Sequence, residues 1–289
     1  MRGNILLAPI TGGKADMHQL DTAFTLARFV NGHVHVIYLN RDPVDVIAAN
    51  MGGSMGATMV ESLIEAAEEQ GEKTRLEARD TYDTWLAKHS VREVTVPDGN
   101  GRVTARYSEA IGNMADKMTK AARLCDVVCL LRPTERVAAD WGTLAETALF
   151  ECGKPVLLAP AKKAMQPITS LAVAWNGSEQ AARTVAMTMP LLEAAKHVTV
   201  ISQLNDDLDR DDLESFAKSL AWHGITVKTK ALKETATLLA KRLQTETHKA
   251  DAQLLVLGAY SHSRLRQFVF GGVTDDLLQG GEVPVLMAN

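Results

Sequence analysis

The residues with the most chemistry to offer lie between Gly258 and Thr274. Gly258 ends the apolar run that begins at Leu254, and two residues separate it from Ser261. Nine more residues lead to Gly271, followed by Gly272, Val273 and Thr274 at the start of a helical pattern. Small residues let backbone come close to a ligand. A helix beginning here presents unpaired N–H groups and a partial positive charge, which can hold a phosphate without a lysine. His262, Arg264 and Arg266 lie within the nine-residue loop and would neutralise phosphate charge. The competing reading is structural: Thr274 caps the helix, Asp275 and Asp276 complement its dipole, and the loop charges are simply solvated.

A second constellation is the turn Trp175-Asn176-Gly177-Ser178, which follows the apolar run starting at Leu171. In open α/β sheets, ligands sit beyond the carboxyl ends of strands where the winding direction reverses, so the loops after two strands must converge. Asn176 would then bond a base or ribose edge. The competing reading is an Asx turn with Ser178 as helix N-cap.

The elements that must position these residues alternate along the chain. In the second half, strands are expected at Leu171, Val198 to Ser202, Ile225 to Lys230, Leu254 to Gly258 and the closing PVLMA. Helical patterns such as LESFAKSLAWHG separate them, and Gly224 fits a helix C-cap. The first half has ILLAPI from Ile5, VHVIYL, RVTARYS from Arg102 to Ser108, DVVCLL from Asp126 and a closing PVLLA, around helices that include MVESLIEAAEEQ. Such alternation predicts right-handed βαβ units and a parallel sheet covered on both faces. Val127 to Leu158 also repeats the order of Leu254 to Met287, so the chain reads as a tandem repeat. Ile5 to Ala159 is 155 residues against 118 for Leu171 to Ala288. Most of the surplus lies between Arg41 and Gly101, an insertion expected to form a lid, an extended helix or an interaction surface. Residues Ala161 to Gln166 read as the linker.

The second half resembles a universal stress protein domain, whose ATP-binding members carry G-x-x-G-x9-G-S/T after the fourth strand and an Asp-Gly-Ser turn after the first. Here Ser261 replaces the second glycine, Gly272 the hydroxyl residue and Asn176 the aspartate. The first two changes lose some backbone freedom and one hydroxyl contact to phosphate, and the third removes a charge. The resemblance extends to the first half, without its motif. Aligned by their apolar strands, Leu131 and Arg132 stand where the second half has Gly258 and Ala259; Pro133 offers no N–H, and Gly142-Thr143 alone echoes Gly271-Gly272.

The resemblance implies an α/β fold of two tandem flavodoxin-like domains (1–160, with the insertion at about 41–101, and 167–289), each a five-stranded parallel sheet with helices on both faces. It further implies a stress-response protein with ATP or a related adenine nucleotide as a regulatory, non-catalytic ligand of the second domain. The implied site is Trp175, Asn176, Gly177, Gly258, Ala259, Ser261, Gly271, Gly272, Val273 and Thr274. The last strands of the two halves, Val156 to Leu158 and Val283 to Met287, would pair in an intramolecular pseudo-dimer. Further homodimerisation and an unidentified protein partner are also expected.

Composition narrows the function classes. With 31 basic and 35 acidic residues, a net charge of -4 and no dense Lys/Arg block, the chain lacks the electrostatic footprint of a nucleic-acid binder. Its start has too short an apolar run for a secretory signal, and no stretch approaches the ~20 apolar residues of a membrane span, so a cytoplasmic location is expected. Three cysteines fit reduced, buried thiols; Cys125 and Cys129, four apart in an expected strand, would share a face roughly 13 Å apart. His33 and His35 alternate along a strand as a potential metal pair without a visible third ligand.

Three enzyme motifs are partly matched. Gly12-Gly13-Lys14 lacks the P-loop glycine at Ala8 and the hydroxyl at Ala15. The TGGKAD loop is similar to that of ATP pyrophosphatases, but Ala15 occupies its Asp position. Gly52-Gly53-Ser54-Met55-Gly56 fits a nucleophile elbow and would make Ser54 a hydrolase nucleophile if a strand led directly into it. A scaffold acting through the inserted region without nucleotide is the remaining alternative.

Overall fold

The computed structural model describes residues 4–42, 57–97, 101–132, 139–233, 238–259, 276–277 and 280–289. The first half runs β1 (Ile5–Ile10), α1 (Asp16–Val30), β2 (His33–Asn40), α2 (Ala57–His89), β3 (Arg92–Glu93), β4 (Thr104–Ile111), α3 (Met114–Ala122), β5 (Val127–Leu131), α4 (Ala139–Glu151) and β6 (Val156–Ala159). The second runs β7 (Ser170–Ala174), α5 (Glu179–Ala194), β8 (His197–Gln203), α6 (Arg210–Ala221), β9 (Val227–Leu232), α7 (Leu239–Lys249), β10 (Leu254–Gly258) and β11 (Val285–Ala288).

All these strands join one 11-stranded sheet in the order β3-β4-β2-β1-β5-β6-β11-β10-β7-β8-β9. Pairing is parallel within each half. At the centre β6 meets β11 antiparallel, with Val156 opposite Met287, Leu157 opposite Leu286 and Leu158 opposite Val285. The five parallel strands expected in the first half are joined by a sixth, the two-residue β3, which extends the edge at β4. Central strands are buried on both faces, which explains the unbroken apolar runs VVCLL and VLMA. At the edge, β9 alternates half-buried Val227 and Thr229 with exposed Lys228 and Lys230, which keeps that edge soluble.

Helices α1, α2, α5 and α6 cover one face of the sheet, and α3, α4 and α7 the other. The expectation that Cys125 and Cys129 share a face is corrected: β5 begins only at Val127, so Cys125 sits in the preceding turn and packs on one side while Cys129 packs on the other. All three cysteines are free and buried. Between β2 and β4 the insertion supplies α2, of 33 residues, where the second half spans the corresponding β8-to-β9 crossover with the 12 residues of α6. Tyr82 and Trp85 anchor the C-terminal part of α2 in the core, both fully buried.

Candidate functional site

In the second half, β7 lies between β10 and β8, and Leu257 of β10 pairs with Ala174 of β7. The chain turns from β7 into α5, on one face of the sheet. Gly258 therefore emerges beside Trp175 at the carboxyl edge, and the loops after β7 and β10 leave from adjacent strands. Asn176 and Gly177 are exposed, whereas Ala174 and Gly258 are half-buried at the strand ends.

The turn is built locally. Asn176 Oδ1 accepts from the Ser178 amide at 3.2 Å and from its hydroxyl at 2.7 Å, and Ser178 Oγ accepts from the Ala181 amide at 3.2 Å to cap α5. Gly177 takes φ +71°, the left-handed region. The Asx turn and N-cap weighed from sequence are thus both formed, and they occupy the Asn176 carbonyl oxygen. Trp175 extends the strand through its amide to the Ile201 carbonyl, and its ring stacks on Phe216 of α6 at 3.7 Å between centroids and 4° between planes.

Gly258 has a packing reason to be glycine. A Cβ there would lie 2.5 Å from the Ala181 amide nitrogen, in the first turn of α5. Ala259 is fully buried, and its amide donates to the Ala288 carbonyl at 2.8 Å. Of the residues singled out by sequence, Trp175, Asn176, Gly177, Gly258 and Ala259 gather at this strand edge. Ser261, Gly271, Gly272, Val273 and Thr274 lie outside the described residues, as do Pro133 and Ser54 with its glycines.

At the equivalent edge of the first half, the loop after β1 is occupied by the chain itself. Arg132 donates its amide to the Ala159 carbonyl as Ala259 does to Ala288, so the two positions correspond. After β1, the amides of Thr11, Gly12 and Gly13 converge on the Asp16 carboxylate at 3.2, 2.7 and 3.0 Å. Successive backbone N–H groups of this kind form an anion-binding nest, here filled by the chain's own carboxylate. Burial pushes the Asp16 carboxyl up to about 6, against the lowering effect of the three amides. Helix α2 then covers the loop: a Cβ on Gly12 would lie 2.3 Å from the Thr74 carbonyl oxygen, and Tyr38 Oη meets Thr74 Oγ1 at 2.8 Å. Sequence reasoning dismissed TGGKAD as a failed enzyme motif and missed this self-ligation; a carboxylate three residues after a Gly-Gly pair was the available signal.

The histidine pair bonds to side chains of β4. His35 Nδ1 accepts from Arg106 at 2.9 Å, which leaves the proton on Nε2, donated to Ser108 Oγ at 2.7 Å. Burial and the Arg106 charge hold this imidazole down to about 4. Such a histidine cannot act as general base toward Ser108, since the nitrogen facing the hydroxyl already carries the proton. His33 Nδ1 bonds Thr104 Oγ1 at 2.9 Å. Among the described residues no cluster of three His, Cys, Asp or Glu is placed to hold a metal, and no helix is long and apolar enough to cross a membrane. A cleft of about 350 Å³ opens at the amino ends of β10 and β11, between the linker and His248, and is bordered by the Lys163–Glu282 ion pair at 2.6 Å. It lies at the opposite edge from the Asn176 turn.

Comparison with known proteins agrees with this architecture. Residues 168–289 match the universal stress protein family. Along its length the chain is 25% identical over 296 residues to the universal stress protein Slr1230 of Synechocystis sp., covering 98% of each chain. Among solved structures it is similar to a universal stress protein from Archaeoglobus fulgidus, with a TM-score of 0.66 at 14% identity over 99% of this chain and 96% of that one. A universal stress protein from Pseudomonas aeruginosa gives a TM-score of 0.55 at 13% identity, over 99% and 92% of the two chains. Those two likenesses establish the fold, and the match over residues 168–289 shows that the second half of the chain is similar to the universal stress protein family.

Proposed function

We propose that this chain is a stress-response protein that holds one adenine nucleotide, with ATP as the leading candidate, in its second half as a regulatory ligand. The observation that carries the reading is the contrast between the two carboxyl edges. In the first half the loop after β1 is ligated by Asp16 and covered by α2, whereas the Asn176 turn is exposed beside the end of β10. The glycine spacing from Gly258 to Thr274 resembles that of ATP-binding members of the family, and this likeness supports Gly271 to Thr274 as the phosphate side of the site. With phosphate on the β10 side, the base extends toward the ends of β7 and β8, where the Trp175 and Phe216 rings and Leu208 form an apolar wall. Regulation requires that two states of the protein bind nucleotide with different affinity.

Titration calorimetry with ATP on the wild type and on Gly271→Arg tests this. The expected result is one nucleotide per chain for the wild type and at least a tenfold loss of affinity for the variant. Equal heats in both proteins, or none in either, would reject the site.

A further inference from the structure

The Arg132 side chain reaches out of the first half into the loop that leads to the last strand of the second. At the end of β5 its amide donates to the Ala159 carbonyl, as the Ala259 amide donates to the Ala288 carbonyl at the end of β10. The two positions correspond, but only the arginine has a side chain long enough to leave its own half. Its guanidinium donates to the Gly281 carbonyl and, at 2.5 Å, to the Val283 carbonyl. Lys163 of the linker ties the same loop through Glu282 at 2.6 Å. From this loop the chain enters β11, which pairs with β10 from Val285 opposite Leu255 to Ala288 opposite Gly258. At the far end the Ala288 carbonyl accepts from the Ala259 amide at 2.8 Å and from Thr184 Oγ1 of α5 at 3.1 Å. One short strand, paired with β6 on one side and β10 on the other, thus runs from the Arg132 contact to the carboxyl edge that carries Gly258 and the Asn176 turn.

On the reading that the second half holds a nucleotide, on which this inference rests, we propose that Arg132 is a positioning residue for that site. Through it the first half sets the affinity of the second for nucleotide. A strand paired on both sides and packed in the core transmits a displacement along its axis rather than absorbing it. Fixing the entry to β11 therefore fixes where Ala288 holds Ala259, and with it the backbone at Gly258, which lies against the first turn of α5. Affinity rises when the backbone that receives a ligand is already held in place, since less ordering is left to the binding step. The repeat gives the coupling its direction. The methyl group of Ala259 cannot return the contact to the loop before β6, so one half grips and the other is gripped. Coupling between sites is reciprocal in free energy, so nucleotide at the edge also tightens the loop that Arg132 holds.

Titration calorimetry with ATP and amide hydrogen exchange, both on the full chain, test this. Arg132→Met keeps a long apolar stem but donates nothing, and at a temperature where the variant is folded it should bind ATP at least tenfold more weakly. Arg132→Lys keeps the charge without the two-pronged donor and should fall between. In the wild type, saturating ATP should slow exchange from Gly281 to Val285, and in Arg132→Met it should not. Should Arg132→Met fail to fold, Arg132→Lys and the wild-type exchange decide alone. A wild type that gives no heat with ATP would remove the nucleotide reading and this inference with it. A wild type that binds, with both variants binding equally well, would leave the site standing and overturn the role of Arg132 in it. Weakened binding with exchange in the loop unmoved by ATP would also overturn it, because Arg132 would then be a structural contact alone.

Discussion

Arg132 Nη2 donates to the Val283 carbonyl at 2.5 Å, joining the end of β5 in the first half to the residue two before β11 in the second. The Nη1 group bonds the Gly281 carbonyl beside it. The side chain is buried and has no acidic partner in these bonds; burial lowers its pKa to about 10, so it stays charged at neutral pH. Two opposing effects meet here. The desolvated guanidinium is costly, but it satisfies the carbonyls of Gly281 and Val283 in the loop before β11, and bonds from a charged donor contribute about 1.5 to 3 kcal/mol each. Truncation by Arg132→Ala adds a cavity to the loss of both donors, and about 3 kcal/mol of stability should disappear in urea unfolding. An unchanged midpoint would show that the bonds merely break even.

Asp16 should make stability depend on pH in an unusual direction. Its carboxyl is raised from 3.8 to about 6 in the folded chain, so between those values the folded state holds more protons than the unfolded one. Stability from this group is therefore greatest below about pH 4 and falls by up to about 3 kcal/mol as pH rises past 6. Asp16→Asn removes the titration. The difference in unfolding free energy between wild type and variant should shrink or reverse across that window, and parallel curves would contradict the assignment.

His35 should remain neutral far into the acid range. Its depressed pKa, to about 4 against 6.5, means that the stability it contributes is present above about pH 6.5 and is lost as pH falls toward 4. Imidazole resonances followed by NMR should show Nε2 protonated and Nδ1 bare down to about pH 5. A midpoint near 6.5 would mean that Arg106 does not approach as described. The same locked tautomer predicts no fluorophosphonate labelling at Ser108.

The positions of the strands were legible in the sequence because the central strands, buried on both faces, write themselves as short unbroken apolar runs bounded by Gly and Pro. The position equivalence of Arg132 and Ala259 was also legible from those runs, and the hydrogen bonds to Ala159 and Ala288 reproduce it. Other features depend on contacts between residues distant in sequence. Nothing local in Gly12 announces Thr74, and nothing in Arg132 announces Val283, 151 positions away. The start of β5 was misplaced by two residues because CDVVC is apolar enough to extend the strand, while Cys125 is tied instead to the preceding helix through the Ala121 carbonyl at 3.4 Å. At the candidate site, Asn176 had two readings of equal local merit; the tertiary structure forms the Asx turn, and a ligand bond through its amide nitrogen remains compatible with that turn.

Gly258 and Gly177 separate packing from ligand approach. At Gly258 a Cβ would meet backbone of α5 at 2.5 Å, so Gly258→Ala must push the end of β10 from the helix, at about 1 to 3 kcal/mol. At Gly177 the nearest atom is a flexible one, Leu208 Cδ1 at 3.1 Å, and the penalty comes from φ +71°, about 1 kcal/mol for a non-glycine residue. If the edge between them takes nucleotide, Gly177→Ala should weaken ATP binding by more than its small stability loss explains, since Cβ and the stiffened turn face the opening. Gly258→Ala should instead lower the melting temperature most, with saturating ATP recovering part of the loss through linkage. Thermal shift of both variants with and without ATP distinguishes the cases. A nucleotide-independent shift in both, matched by the wild type, would leave these glycines with packing and turn geometry as their whole role.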